Sequence, residues 1–452
     1  MLRGLPAIFV LMTAPARFSA AEIPADVRAT EQQYLAKAQH NIELYRKQDA
    51  VIQILDASGR PMQGAAVEVN QVQQDFLFGC ILFPLTGHQL AAGERELYQE
   101  RFLGLFNFGI LPFYWKYYEP EPGHPHWPDM GQTMEWASRN GVTLKGHPLV
   151  WSDEAGIPSW LPRFPVEFHE RLLEARVLST VAGFAGHIDL WDVVNEPIHL
   201  NAWEDKDAKG KMYTAEQRAN YVEKALRWAH TANPNARLMV NEYDVIPNHD
   251  TFWKQDAPPR ERFLALVKEL RRRNAPAFEV GFQAHEPRTE WFSPENVWQA
   301  FETFAGEGFR IHITEFTPQS SGKPITGGWR SGAWTEDAQA EFAEQMLRLS
   351  FGHPNVMSFN FWGLSDRDVW LPAGGLVDKD YNPKPIYTRL RKVIREEWMT
   401  RNLPLKSDQE GRAAFRGFCG KYRVHVKAPS GKETDFDLHL SREGEREFRL
   451  RL

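Results

Sequence analysis

Between Phe76 and Arg395 the chain repeats one rhythm: a short apolar run, a polar end, then a longer amphipathic stretch. The apolar runs are FLFGCIL (76–82), FGILPF (108–113), TLKGHPLV (143–150), HIDLWDVV (187–194), ARLMVNEY (236–243), FEVGFQAH (278–285), FRIHITEF (309–316) and VMSFNFWG (356–363). Each has the length of a strand. Helical patterns such as GQTMEWASRN, AEQRANYVEKALRWAHTA and PRERFLALVKELRRRN fall between them. Eight strands separated by helices over about 320 residues match the count and length of a (β/α)8 TIM barrel, an α/β fold. An open doubly wound sheet would need a Gly-rich phosphate turn after an early strand, and the sequence has none.

The flanks read differently. Residues 1–21 read as an export signal, with Arg3 at its start, an apolar segment from Leu5 to Met12, and a small-residue end at Phe18-Ser19-Ala20-Ala21. A secreted or periplasmic location follows as an expectation. Residues 22–75 carry a helical pattern from Ala25 to Lys47, then two alternating segments around Ile52–Ile54 and Val67–Val69, joined by a Gly/Pro turn as a hairpin. Residues 403–452 alternate again, with turns at PSGK and REGE. Two strands alone are marginal, so both ends of the chain are expected to build one small β-sandwich beside a barrel spanning 76–402. Cys80 and Cys419 are the only cysteines and offer no disulfide framework; free buried thiols are expected, with one bridge as the alternative.

The polar punctuation collects where such barrels keep their chemistry, at the C-terminal ends of the strands. The third run ends on Lys145, Gly146 and His147, with Trp151 close behind, and the fourth on Asn195-Glu196. The fifth ends on Asn241-Glu242-Tyr243, the sixth on Gln283 and His285, the seventh on Thr314-Glu315. The eighth ends on Trp362, with Asp366 and Trp370 in the loop beyond. A single such residue could be a helix cap or a core hydrogen bond; this many on one rim point to a site. Carboxylates on the fourth and seventh strands lie across the ring from each other, which suits the two opposed carboxyl groups of glycoside hydrolysis. The 16 Trp residues are compatible with stacking on sugar faces. A net charge of −6 gives no case for nucleic acid or an anionic membrane. No metal or cofactor is expected, since neither HExxH nor CxxC occurs.

WDVVNEP, HITEF, KGHPLVW, VNEYD, GFQAH, FNFWGLSD and GLVDKDYNPKPIY together resemble, in order and spacing, the motifs of glycoside hydrolase family 10, the endo-β-1,4-xylanases. The resemblance implies Glu196 as acid/base and Glu315 as nucleophile. It implies Asn195 as holder of the sugar 2-hydroxyl, His285 as hydrogen-bond partner of the nucleophile, and Gln283 beside it. His147, Trp151, Trp362 and Trp370 would contact the donor-side sugars, and Trp115 and Tyr243 join the expected substrate-binding set. The segment ILPFYWKYYEPEPG departs from the family pattern. Ile110, Leu111 and Tyr114 stand where Glu, Asn and Lys would be, and Lys116 is two residues off. ITEFT likewise carries Phe316-Thr317 where Leu-Asp is usual.

The expected function is retaining hydrolysis of a β-linked poly- or oligosaccharide, xylan by default. A different or decorated β-glycan is the first alternative and a non-catalytic carbohydrate-binding barrel the second. A monomer is expected, without nucleic-acid or membrane partners. The loop SSGKPITGGWRSGAW (Ser320–Trp334) reads either as a mobile lid, with Trp329 and Trp334 stacking over the cleft and Arg330 meeting an acidic substituent, or as a solvated surface loop.

Overall fold

The computed structural model describes residues 23–87, 90–126, 128–200, 212–252 and 254–452; the expected export signal lies outside the described residues. A helix, Ala25–Tyr45, leads into β1 (Lys47–Leu55) and β2 (Ala66–Gln74). Eight strands follow: β3 (Leu77–Ile81), β4 (Phe108–Pro112), β5 (Thr143–His147), β6 (Leu190–Asn195), β7 (Arg237–Glu242), β8 (Phe278–Phe282), β9 (Ile311–Phe316) and β10 (Val356–Phe361). They form a closed parallel barrel in chain order, sealed where β10 returns beside β3 with Phe359 opposite Phe78. All six residues of β6 and of β9 are buried, as expected of strands covered by side chains within and helices without. Among the described residues no helix is long and apolar enough to cross a membrane.

The barrel interior differs from an apolar reading of the runs. Lys145, Asp192, Glu279, His312 and Asn360 are all buried within it. Lys145 Nζ donates to Asp192 Oδ2 at 2.6 Å. His312 bridges Glu279 (2.6 Å) and Ser358 (2.8 Å), and the Asn360 amide donates to the Ile313 carbonyl at 2.8 Å. Buried charge is tolerated only when paired, and each partner comes from a different strand of the ring.

The ends of the chain build two facing sheets, completed by β11 (Leu403–Lys406), β12 (Arg412–Phe418), β13 (Gly420–Lys427), β14 (Glu433–Leu440) and β15 (Glu447–Arg451). One sheet runs β12-β1-β15 and the other β11-β2-β13-β14. Ile52, Ile54, Val67, Val69, Tyr422, Val424 and Leu450 fill the space between. The expected β1–β2 hairpin is therefore corrected. The chain turns at Asp56–Arg60, where Asp56 Oδ1 accepts the amides of Ser58 (2.8 Å) and Arg60 (3.0 Å), and then crosses to the opposite sheet. Both edges of β1 are taken by β12 and β15, and both edges of β2 by β11 and β13.

The N-terminal helix packs on the barrel rather than on this sandwich. It lies against the helices Pro294–Ala305 and Glu336–Gly352, with Ala38 wholly buried. A side chain on Gly352 would strike Ala38, so glycine permits this close approach. At its end, Arg46 donates to the carbonyls of Phe351 (2.6 Å), His353 (2.7 Å) and Val356 (2.7 Å). Both cysteines are free and buried.

Candidate active site

A cleft of about 550 Å³ opens at the C-terminal ends of the strands. The backbone there is strained. Glu196, Asp244 and Ala284, at or just beyond the ends of β6, β7 and β8, adopt φ of 56°, 59° and 61°. A non-glycine residue with positive φ costs roughly 1–3 kcal/mol and persists only where its surroundings hold it. For Glu196 the holding contact is its own amide, which donates to the Asn241 carbonyl on β7 at 2.7 Å.

The two carboxylates are tied together by a chain of amides. Glu196 Oε1 accepts from Gln283 (3.0 Å) and Asn195 (3.2 Å), and its Oε2 from the indole of Trp151 (2.9 Å). Asn241 donates to Glu315 Oε1 at 2.6 Å and to Asn195 Oδ1 at 2.8 Å. Gln283 also reaches Asn195 Oδ1, at 3.3 Å. With its oxygen occupied by neighbours, the Asn195 amide nitrogen faces Glu196.

Burial sets the electrostatics. The Glu196 carboxyl is pushed up to about 7, first by desolvation and then by the charge of buried Glu242. Glu242 in turn accepts the amides of Ile198 (2.8 Å) and Tyr243 (2.9 Å) and contacts His199 Nδ1 at 2.9 Å. Glu315 is also raised well above the usual range, by burial and then by Glu196, while Lys145 and the Asn241 amide favour its anion. Two carboxyls this closely linked titrate as a pair. Each carboxyl has opposing neighbours: Glu242 disfavours and His199 favours charge on Glu196, while Asp192 disfavours and Lys145 favours charge on Glu315.

His147 is fully buried, with Nδ1 2.6 Å from Asp192 Oδ2 and Nε2 4.0 Å from Glu315 Oε1. Burial lowers its pKa against the pull of Asp192. His285 departs from expectation. Its Nδ1 lies 3.1 Å from the Glu315 backbone carbonyl but 4.0 Å from the carboxylate, so it braces the strand end rather than the reacting oxygen. Burial holds its pKa down to about 3, leaving the ring neutral.

Trp151, Trp362, Trp370 and Tyr243 line the cleft, with Tyr243 stacked on His199 at 4.0 Å. Trp115 does not join them. It is buried, donates to Glu119 at 2.7 Å, and packs against Trp160 and Arg176. Its place in the expected binding set is corrected: it is a core residue beneath the loop. Lys116 is held by Glu154 and lines no part of the cleft. Ile110 and Leu111 are fully buried in the core, so only Tyr114 of the divergent trio reaches the cleft.

The lid expectation also fails. Arg330 is clamped by Glu31 of the N-terminal helix at 2.7 and 2.6 Å, and by Glu341 at 2.9 Å. Trp329 donates to the same Glu31 at 3.0 Å. Trp334 is buried, stacked on Trp291 at 5.5 Å and bonded to the Thr289 carbonyl. Among the described residues a cation at the cleft is Arg288, which lies over Trp370 at 4.5 Å and pairs with Glu286 at 2.8 Å. Sequence reading also passed over Phe83, Tyr117, Phe252 and Asp192. Arg288 follows His285 by three residues, and that proximity was the one signal available.

Comparison with known proteins gives a consistent set of relatives. The family model described as glycosyl hydrolase family 10 matches residues 112–393. Endo-1,4-beta-xylanase B of Thermotoga neapolitana is 28% identical over 293 residues, covering 63% of this chain and 78% of the relative. Endo-1,4-beta-xylanase 2 of Arabidopsis thaliana is 24% identical over 397 residues, 86% of this chain but only 33% of the plant protein. The crystal structure of xylanase 10B from Thermotoga petrophila RKU-1 in complex with xylobiose superposes with a TM-score of 0.57 at 25% identity, over 72% of this chain and 95% of that one.

Proposed function

Because the chain belongs to glycosyl hydrolase family 10, we propose that its cleft hydrolyses β-1,4-linked glycans of the xylan type with retention of configuration. The observation that carries this reading is a pair of carboxyls on opposed sides of the barrel, half-buried Glu196 at the end of β6 and buried Glu315 on β9, joined by one chain of amides. In the first step, protonated Glu196 gives its proton to the glycosidic oxygen as Glu315 attacks the anomeric carbon. The glycosidic bond breaks and a glycosyl ester forms on Glu315. In the second step Glu196, now ionised, takes a proton from water, which attacks the same carbon and releases Glu315. Two inversions give net retention.

The surroundings support these roles. A carboxyl near 7 is poised to give and take a proton at neutral pH. The Asn195 amide beside Glu196 suits a donor to the sugar 2-hydroxyl. Neutral His147, with Nδ1 engaged by Asp192, leaves Nε2 to accept from a sugar hydroxyl next to Glu315. Trp362 and Trp370 offer ring faces to the sugars. A binding barrel without chemistry needs no such pair of opposed, amide-linked carboxyls. We further propose export from the cytoplasm, supported by the character of residues 1–21. The test is a panel of aryl β-glycosides and polysaccharides, with proton NMR of the first product. A β-configured reducing end from a β-xylosidic substrate supports the reading; no turnover across the panel refutes it.

A further inference from the structure

Among the described residues, the cleft lining holds three carboxyls that the hydrolytic steps do not use: Asp153, Glu286 and Asp368. Asp153 is exposed to water, and Glu286 is paired with Arg288 at 2.8 Å. Asp368 has neither arrangement. It sits in the loop after β10, where the amides of Asp368 and Val369 donate to the Ser365 carbonyl at 3.0 and 3.1 Å. Val369 packs where a side chain on Gly363 would stand, so glycine lets the loop fold back this tightly. The wall that Asp368 joins leads away from the reacting groups. His147, beside Glu315, meets Trp362 edge-on at 4.8 Å, and Trp362 meets Phe83 edge-on at 5.5 Å. The charges that bear on Asp368 are Arg367 and Glu94, not Glu196 or Glu315.

Asp368 is half-buried, and its Oδ2 is shielded from solvent without a donor among the described residues. The donors around it are spent elsewhere. Arg367 bonds to Glu94 and to the Lys379 carbonyl, and the Tyr98 hydroxyl donates to the Ile81 carbonyl at 2.6 Å. The Tyr381 hydroxyl feels the charge of Asp368 but does not reach it. Burial pushes the Asp368 carboxyl up to about 6 against the pull of Arg367, which leaves it ionised at neutral pH. A carboxylate that has lost water and gained no donor calls for one from outside the chain. The lining beside it selects that donor's form. Ile81, Phe83, Trp362 and Trp370 offer apolar faces, and the carboxylate only accepts. A sugar ring brings C–H faces for the first and neighbouring hydroxyls for the second.

We propose that Asp368 is a specificity-determining residue that accepts hydrogen bonds from the sugar one place beyond the cleaved unit on the donor side. The inference rests on the hydrolase reading above. The experiment measures kcat/KM on three substrates with one aryl leaving group: the β-xyloside, the β-xylobioside, and the xylobioside whose outer ring lacks its 2- and 3-hydroxyls. In the wild type, removing those hydroxyls should cost about tenfold or more, the loss of a hydrogen bond to a charged acceptor. Asp368→Asn, which keeps the shape, and Asp368→Ala should each cut the xylobioside-to-xyloside ratio about tenfold through KM. In both variants the deoxygenated substrate should then match the intact one. A wild-type cost near one overturns the proposal without recourse to any variant. A cost that persists in both variants also overturns it, and is the outcome if Asp368 bonds only to a buried water beside Tyr381. An equal loss on xyloside and xylobioside overturns it as well, since the effect is then on the fold. Wild-type turnover of the aryl glycosides with no dependence on Asp368 removes only this role; no wild-type turnover of any of the three removes the hydrolase reading with it.

Discussion

Removing one hydrogen bond to Glu196 should move the alkaline limb of the pH profile in a direction fixed by the site. The Trp151 indole donates to Glu196 Oε2 at 2.9 Å and so favours the ionised carboxylate. Trp151→Phe keeps the ring and deletes the donor. A hydrogen bond to a charged acceptor contributes about 1.5–3 kcal/mol and one to a neutral acceptor about 0.5–1.5 kcal/mol. The anion therefore loses about 1 kcal/mol more than the acid, which at about 1.4 kcal/mol per pH unit is a rise of about 0.7 unit. Glu242→Gln has the opposite sign, because the charge it removes is one that raises Glu196. The assay is kcat/KM against pH on an oligosaccharide whose leaving group needs protonation, since this profile reports the free enzyme. The wild-type alkaline limb should fall near 7, where the acid is lost. Limb position, not height, is read, so lost stacking on the sugar does not confound the result. A limb that stays put or moves down in Trp151→Phe, or moves up in Glu242→Gln, refutes the assignment of Glu196 as the acid.

Other perturbations separate the remaining parts of the site. Glu315→Ala should abolish turnover of every substrate, whereas Glu196→Ala should still react with substrates bearing good leaving groups and should yield a β-glycosyl azide when azide is supplied; an α-azide would contradict retention. Arg330→Ala should act on stability alone, since it leaves the buried Glu31 carboxylate without its cation and with only the Trp329 indole as partner. The expected cost is about 3 kcal/mol, read by chemical denaturation, with the kcat/KM ratio between glucuronic-acid-bearing and plain oligosaccharides unchanged. Gly281→Ala would drive a methyl into the Asn241 side chain and Thr314 inside the barrel. It should lower kcat more than it raises KM, because Asn241 is the donor to Glu315; a loss confined to KM would show that the Asn241 contact does not matter to the chemistry.

The barrel was legible because each strand is a contiguous apolar run, a local signal that survives without knowledge of its neighbours. The rim was legible for a related reason: strand ends fall at predictable places in the sequence, so Glu196, Glu315, Gln283 and His285 could be gathered before any geometry was known. What failed depended on distant partners. The glycine-rich loop reads as mobile until Glu31, 299 residues earlier in the chain, is seen to hold Arg330. β1 and β2 read as a hairpin because the turn is local, whereas the strands that take their edges come from the far end of the chain. Trp115 and Tyr114 are adjacent, and only the short helix Trp115–Tyr118 decides that one ring turns into the core and the other toward the cleft. The paired charges inside the barrel escaped for the same reason, since Lys145 and Asp192 meet only when β5 and β6 lie side by side.

The central claim is that Glu315 forms a covalent bond to the sugar while Glu196 moves the proton. It is tested most directly by trapping the intermediate with a 2-deoxy-2-fluoro β-xylobioside carrying a dinitrophenolate leaving group, then locating the label by peptide mass spectrometry. The account predicts time-dependent inactivation, one sugar bound per chain, and the mass shift on the peptide containing Glu315. A label on Glu196, or turnover with no labelled peptide and an α-configured first product, would contradict it.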